Sequence, residues 1–509
     1  MMVSRLMHPQ QPPKTMFSLE MIDPGLAALV LCAFSLLALG KCLYNVSLHP
    51  LRAVPGPFWA KVSHWWLFVL EMGRSPHEVI LQLHGVYGPV VRISPDEVSI
   101  NDADAFATMF STTSSFEKAK YFYRPFEDQA HNLFSLVHRE EHAQDKRLMS
   151  HAFSRANVIR HQDGIYAKTK RLMDRLAQRA RDGEVIPLFL AFRCLTLDAI
   201  CDFAFGKPLG ALDLADFHTP IMDAVDQSNL SIPFFQHFPF FRALLRLMSY
   251  YNIQLVPNGF LQMGTAARTA LKEMRTSPPQ DVATMFETMI SSASKKGIEL
   301  SEEHLVSEGI LMIVAGTDTT AASLAVNLHN LLQRPDTYRD LRDEVKTVLP
   351  TPDSRPNMAD LDALPLLDAC IKEAMRICSP VRGRLPRIVP PTGWDFGGHH
   401  FKPGTIVSTS PLFYLHDPAA FPSPETYNPA RWLVAEDRKI MMNHFWPFSR
   451  GTRQCIGQNL SLVEQKIVLA MFVRRFKPLD VLKKNVELKE SVVVQIEDPM
   501  EVRVDIATE

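Results

Sequence analysis

Cys455 stands alone in a turn. The stretch 448–457, FSRGTRQCIG, sets it among two glycines and two arginines, and an apolar helical pattern (Leu460, Leu462, Val463, Ile467, Leu469) begins just beyond it. Gly451 and Gly457 lack Cβ atoms, so backbone N–H groups can come close to the sulfur. The following helix turns its positive N-terminal end toward it, and Arg453 adds charge two residues away. Such a setting favours the thiolate, the form of cysteine that binds metals. The seven cysteines are odd in number, scattered, and contain no C-x-x-C pair. That argues against a disulfide framework and a structural zinc site, and for a domain facing a reducing compartment. The other six (Cys32, Cys42, Cys194, Cys201, Cys370 and Cys378) read as small buried apolar residues.

A single thiolate without companion ligands suits a metal whose other positions are already filled. Haem meets that condition, since four porphyrin nitrogens hold the plane and one axial place is left for the protein. At this point the chain resembles a family. FSRGTRQCIG matches the F-x-x-G-x-R-x-C-x-G signature of the haem-thiolate monooxygenases, the cytochrome P-450 superfamily. The resemblance implies haem b as cofactor, Cys455 as axial ligand of its iron, Phe448 beside the sulfur, Gly457 close to it, and Arg453 on a haem propionate. Arg387 in RLPRIV matches a second propionate contact. In EEHAQDKRLMSHAFS, His142 and Lys146 stand where the family's W-x-x-x-R helix has tryptophan and arginine, so lysine would replace a fork with a point charge.

Two further motifs fit the same family. Glu373 and Arg376 in KEAMRI share a helix face at i, i+3, and with Arg431 of FPSPETYNPARW they are implied to form a buried structural network. A like spacing at Glu71 and Arg74 reads as chance, and Tyr427 departs from the family's usual phenylalanine. AGTDTT, residues 315–320, interrupts an apolar helical run with a glycine and hydroxyls, at a cost in helix propensity. The resemblance implies a kinked helix over the open haem face. Ala315 and Gly316 would leave room for O2, and Asp318 with Thr319 would be the catalytic acid–alcohol pair that moves protons during oxygen activation.

The N-terminus sets the topology. PGLAALVLCAFSLLALG, residues 24–40, carries no charge, and with KCLY it reaches about 20 residues, enough to span a bilayer. Residues 1–23 read as a tail, 24–44 as a transmembrane anchor, 45–57 (with Pro50, Pro55, Gly56 and Pro57) as a stiff hinge, and 58–509 as the catalytic domain. Lys41, Arg52 and Lys61 after the span, against Arg5 and Lys14 before it, favour a cytosolic domain. A glycosylated Asn45, in the sequon Asn45-Val46-Ser47, would reverse that orientation. Beyond the hinge the pattern is mainly α with a small segregated β portion: hairpin chemistry at 90–100, short strands within 391–410, and helix from about 140 to 349 interrupted near SIPFFQHFPFF. Those five phenylalanines read either as core or as an apolar loop meeting membrane lipid or a substrate entrance.

The formal net charge of −1 and the absence of a basic, aromatic-interleaved run point away from nucleic acid. The reading is an endoplasmic-reticulum, single-pass monooxygenase that inserts one oxygen atom from O2 into a lipophilic small molecule, a tailoring step on a terpenoid or polyketide. No G-x-G-x-x-G segment is present, so electrons would come from an external NADPH–cytochrome reductase or a cytochrome b-type donor. Arg450, Lys466, Arg474, Arg475 and Lys477 would dock it, and Phe122 and Tyr123 would face substrate. The alternatives are a haem-thiolate isomerase or dehydratase working without reductase, and a non-catalytic haem-binding protein.

Overall fold

A computed structural model describes residues 24–507 except 74, 128, 242–243, 245–258, 278–280, 435, 437 and 491–492. The tail 1–23, with Arg5 and Lys14, lies outside the described residues, as does Arg74. The charge-free run forms one helix, Pro24–Ser47, three residues longer than the expected anchor. Its leucines and Phe34 are exposed on all sides, and only 6% of Ala28–Ser47 is buried, at a mean hydropathy of 1.8. The helix Glu302–Leu332 has a comparable mean hydropathy of 1.5 but is 72% buried, so it is the central helix of a protein core.

The hinge is clamped to the domain. Arg92, with no exposed surface, donates from its guanidinium to the carbonyls of Asn45, Leu51 and Pro95, while Leu51 and Val54 are buried beside it. Asn45 itself is 3% exposed, and its side-chain amide donates to Val62 O at 3.0 Å. The sequon asparagine is therefore turned inward, and the glycosylated orientation loses its support.

The main apolar core forms around Glu302–Leu332, which packs along Leu188–Phe205, a helix buried over almost its whole length. Pro365–Cys378 and Gln458–Arg475 close the same core. To one side lies a five-stranded sheet in the order Val90–Arg92, Glu97–Ile100, Ile406–Ser408, Arg387–Ile388, Glu117–Lys118. Its first pair is the expected hairpin. Glu97–Ile100 then pairs in parallel with Ile406–Ser408, which joins distant parts of the chain. A three-stranded sheet of Ile186–Pro187, Glu501–Ile506 and Phe476–Val481 was not foreseen: Glu501–Ile506 alternates polar and apolar residues, but its partners lie far from it in sequence and Phe476–Val481 continues directly from a helix.

The expected interruption at SIPFFQHFPFF is also displaced. Helix Pro220–His237 runs through Pro233. A proline inside a helix costs about 3 kcal/mol, and here dense aromatic packing offsets it: Phe234 and Phe238 pack on Phe68, and Phe238 on Trp65. The outer part of this cluster, with Phe58, Trp59, Trp65, Phe240 and Phe241 exposed, makes an apolar patch near the hinge.

Candidate active site

Helix Gln458–Arg475 begins immediately after the cysteine turn, with Gly457 as its N-cap. The turn is held by a hydrogen bond from Cys455 N to Phe448 O at 3.0 Å. Gly451 adopts φ +70, and a Cβ there would lie 2.0 Å from the carbonyl oxygen of Phe110, so it seats the turn against a neighbouring loop instead of approaching the sulfur. At Gly457 a Cβ would be 3.8 Å from Sγ, an ordinary contact. Burial pushes the Cys455 thiol up, and the N–H groups of Gly457 and Gln458 and the charge of Lys146 pull it back down. The turn alone does not make a thiolate; a cation at the sulfur would complete the balance. Arg453 is not part of it.

Arg453 instead donates to Leu136 O and Val137 O, at 2.8 and 2.6 Å, in a basic cradle. Lys146 Nζ donates to Thr452 O and Gln454 O. Arg387, 4% exposed, donates to the Tyr123 hydroxyl at 2.8 Å and stacks on Phe110. Lys118, paired with Arg387 across the sheet, donates to Phe134 O and lies over the Tyr123 ring. Among the described residues none of these four cations has a carboxylate partner. Burial and mutual repulsion push Lys118 well down and Arg453 to about 10. His142, buried beside them, is pushed to about 2 by burial and then by Arg453, so it stays neutral. Four clustered like charges, Lys118 and Arg387 buried and Lys146 and Arg453 half-buried, are costly without a carboxylate partner. A ligand with two carboxylates would relieve them, and the cavity of about 240 Å³ lined by Phe110, Arg387, Arg450 and Arg453 opens onto this cradle. Haem propionates fit that demand.

Cys455 is exposed to the interior space, whereas the four buried cysteines, at 194, 201, 370 and 378, all have thiols raised by burial. Cys32 and Cys42 are not buried as expected; they sit exposed and half-exposed on the N-terminal helix.

Over the site, Glu302–Leu332 is continuous through AGTDTT. Two of its hydroxyls are absorbed by backbone carbonyls, Thr317 on Ile313 O and Thr319 on Ala315 O at 2.6 and 2.8 Å, and that of Thr320 donates to Ser461 Oγ at 2.9 Å. Ala315 is exposed and Thr319 half-exposed one turn on, so the two share a face open to space inside the fold. Gly316 points elsewhere. A Cβ there would lie 2.4 Å from Ile200 Cγ1, so the glycine brings two helices together and does not clear room above the cysteine. Asp318 also turns from the Thr319 face. It is 3% exposed, and its Oδ1 accepts from Arg193 Nε at 2.8 Å. Arg193 bridges on to Asp226, whose side chain is 42% exposed. Burial raises Asp318 while Arg193 lowers it.

Glu373, Arg376 and Arg431 meet in one buried network. Arg376 forks onto both oxygens of Glu373, at 3.0 and 2.9 Å, Arg431 Nε reaches Oε1 at 3.1 Å, and Trp432 Nε1 donates to Oε2. Arg376 also donates to Leu415 O, which ties the helix to the cysteine side of the core. Two expectations fail on burial. Tyr123 is 1% exposed and serves Arg387, and Phe122 is packed under Arg384, so neither is placed as a substrate wall. Of the basic residues assigned to docking, Lys466 is buried on Asp362, Arg474 is buried on the carbonyls of Leu349 and Pro350, and Arg475 binds Asp174.

Residues 55–504 match the sequence model of the family Cytochrome P450. The chain is a cytochrome P450. It is 30% identical over 480 residues to the cytochrome P450 monooxygenase sdnE of Sordaria araneosa, covering 90% of this chain and 92% of that one. It is 28% identical over 481 residues to aneF of Aspergillus aculeatus, covering 90% and 97%, and 26% identical over 466 residues to TRI4 of Fusarium sporotrichioides, covering 90% of each. Both are likewise named cytochrome P450 monooxygenases. The enzyme is thus an oxidoreductase of the P450 monooxygenase kind, and the family binds haem and uses O2.

Proposed function

We propose that this P450 inserts one oxygen atom into a lipophilic small molecule as a tailoring step on a terpenoid or polyketide, with electrons from an external NADPH reductase at the endoplasmic-reticulum membrane. The observation that carries the reading is the pairing of Cys455, at a helix N-terminus, with four clustered cations, two buried and two half-buried, that lack a carboxylate partner among the described residues. When bound, haem supplies the reductive activation of O2. The protein's own part is to hold the group and to manage protons and water. Lys118, Lys146, Arg387 and Arg453 would hold the propionates, and the Cys455 thiolate would ligate the iron. Thr319 presents a hydroxyl on the open face, and Asp318 stores a carboxylate one residue away on Arg193. Proton supply and oxygen access are in this way divided between two faces of one helix.

The N-terminal helix and the aromatic patch near it support a membrane-bound enzyme that takes an oily substrate. Incubating membranes containing the protein and a reductase with candidate metabolites, and reading product masses, tests the proposal. Product carrying one added oxygen, dependent on NADPH, is expected. Product without reductase would favour the isomerase or dehydratase. Cys455→Ser is expected to abolish turnover and the red-shifted absorption that sulfur coordination gives to reduced, carbon-monoxide-treated haem. Full turnover in that variant would overturn the assignment.

A further inference from the structure

We propose that Asp145, His304 and Glu308 form a site for one divalent transition-metal ion, zinc fitting best, on the flank of the catalytic centre. His304 and Glu308 are i and i+4 on Glu302–Leu332 and so share a face. Asp145 reaches them from the helix Arg139–Met149. One donor atom from each residue lies within 4.8 Å of the other two.

The state of these donors points to a missing cation. Glu308 has no exposed surface; its Oε1 accepts from Leu133 N at 2.6 Å, and its Oε2 has no hydrogen-bond partner. His304 Nε2 is likewise buried without a partner, 3.4 Å from Asp145 Oδ2. That separation is an ion-pair distance at which no hydrogen bond forms. It matches the edge of a tetrahedron, about 3.3 Å for metal bonds of about 2.0–2.1 Å. Among the described residues neither carboxylate is paired with a lysine or arginine, and burying an unpaired carboxylate is costly. Two carboxylates and an imidazole suit zinc better than magnesium or calcium, which prefer all-oxygen shells. A cavity of about 470 Å³, lined by His131, Glu141, Gln144, Asp145 and His304 among others, gives an entry path and room for water as the fourth ligand.

The site is wired to the basic cradle. Glu308 holds Leu133, and Ser307 beside it holds Ala130 O at 2.8 Å. The same loop offers the Leu136 and Val137 carbonyls to Arg453, and Asp145 adjoins Lys146. An ion here would fix the loop and helix that carry the cradle.

The test uses full-length, haem-loaded protein in detergent, treated with chelator and titrated with zinc chloride by calorimetry and metal analysis. One tight equivalent is expected, not displaced by magnesium or calcium, with a raised unfolding midpoint in its presence. Glu308→Gln and His304→Gln should each weaken it at least tenfold, while His399→Gln, at an unrelated surface histidine, should titrate as the parent. Haem content and the carbon-monoxide spectrum verify that the variants fold. Should a buried variant fail to fold, Asp145→Asn provides the same comparison. Absence of a tight equivalent, or one retained in all three site variants, overturns the proposal.

Discussion

A buried charge is tolerated only with a partner, and two residues of this P450 differ on that point. Asp318 has Arg193, which is itself shared with Asp226. Asp318→Asn keeps the shape and removes the acid. Product formation is expected to fall about 10²-fold or more with the sulfur-bound haem spectrum intact, measured as product per haem with excess reductase. Glu464 has none: it is 3% exposed, its Oε1 lacks a hydrogen bond, and burial raises its pKa to about 8. Its folded value lies above the unfolded one, so the folded chain holds the proton longer. The stability this gives is complete below about pH 4.5 and is lost as pH rises toward about 8, by at most about 5 kcal/mol. Glu464→Gln is therefore expected to gain stability relative to the parent between pH 5 and 8, read as the difference in denaturant midpoint. Residue chemistry was legible at Cys455, where a lone thiol in a glycine-rich turn announces a ligand. Arg193 and Lys118 were not legible. Each lies far in sequence from the group it serves, and one arginine in an apolar helix looks like any other until its neighbour is known.

At the scale of elements, helix spacing told which residues share a face but not what that face meets. Glu373 and Arg376 sit at i, i+3, so their pairing could be read locally, and Arg431 and Trp432 complete it from a loop. AGTDTT could be read as a special turn of helix, yet its three neighbours face three ways: Ala315 to open space, Gly316 to Ile200, Asp318 to Arg193. Gly316→Ala is expected to cost about 1–3 kcal/mol by overpacking, seen as a lowered unfolding midpoint. Ile200→Ala should recover at least about 1 kcal/mol of that in a double-mutant cycle. Additive effects would mean that the helices are not in contact there. The sheet was legible only in part. The hairpin at 90–100 is local, whereas the parallel pairing of Glu97–Ile100 with Ile406–Ser408 depends on the whole chain being folded.

For the molecule as a whole, the apolar N-terminal run was the plainest signal, because a helix with leucines exposed on every side has the length and hydropathy of a membrane span. The hinge was harder to read. Its prolines suggested a stiff linker but not what it leans on, and the clamp that Arg92 forms comes from a strand beyond it. Arg92→Met leaves buried carbonyls of Asn45, Leu51 and Pro95 without a donor, at about 1–3 kcal/mol each. Trypsin is then expected to cut after Arg52 at least tenfold faster than in the parent, timed on gels of membrane-bound protein; an unchanged rate would mean the clamp does not hold the hinge.

In the membrane-bound arrangement proposed above, Arg92 grips the last turn of the anchoring helix, so the catalytic body would not swivel freely about its tether. It would ride the bilayer in one attitude, aromatic side down. An oily molecule would then arrive by partitioning sideways out of the leaflet, and its oil–water distribution, more than its aqueous concentration, would set how fast it is consumed.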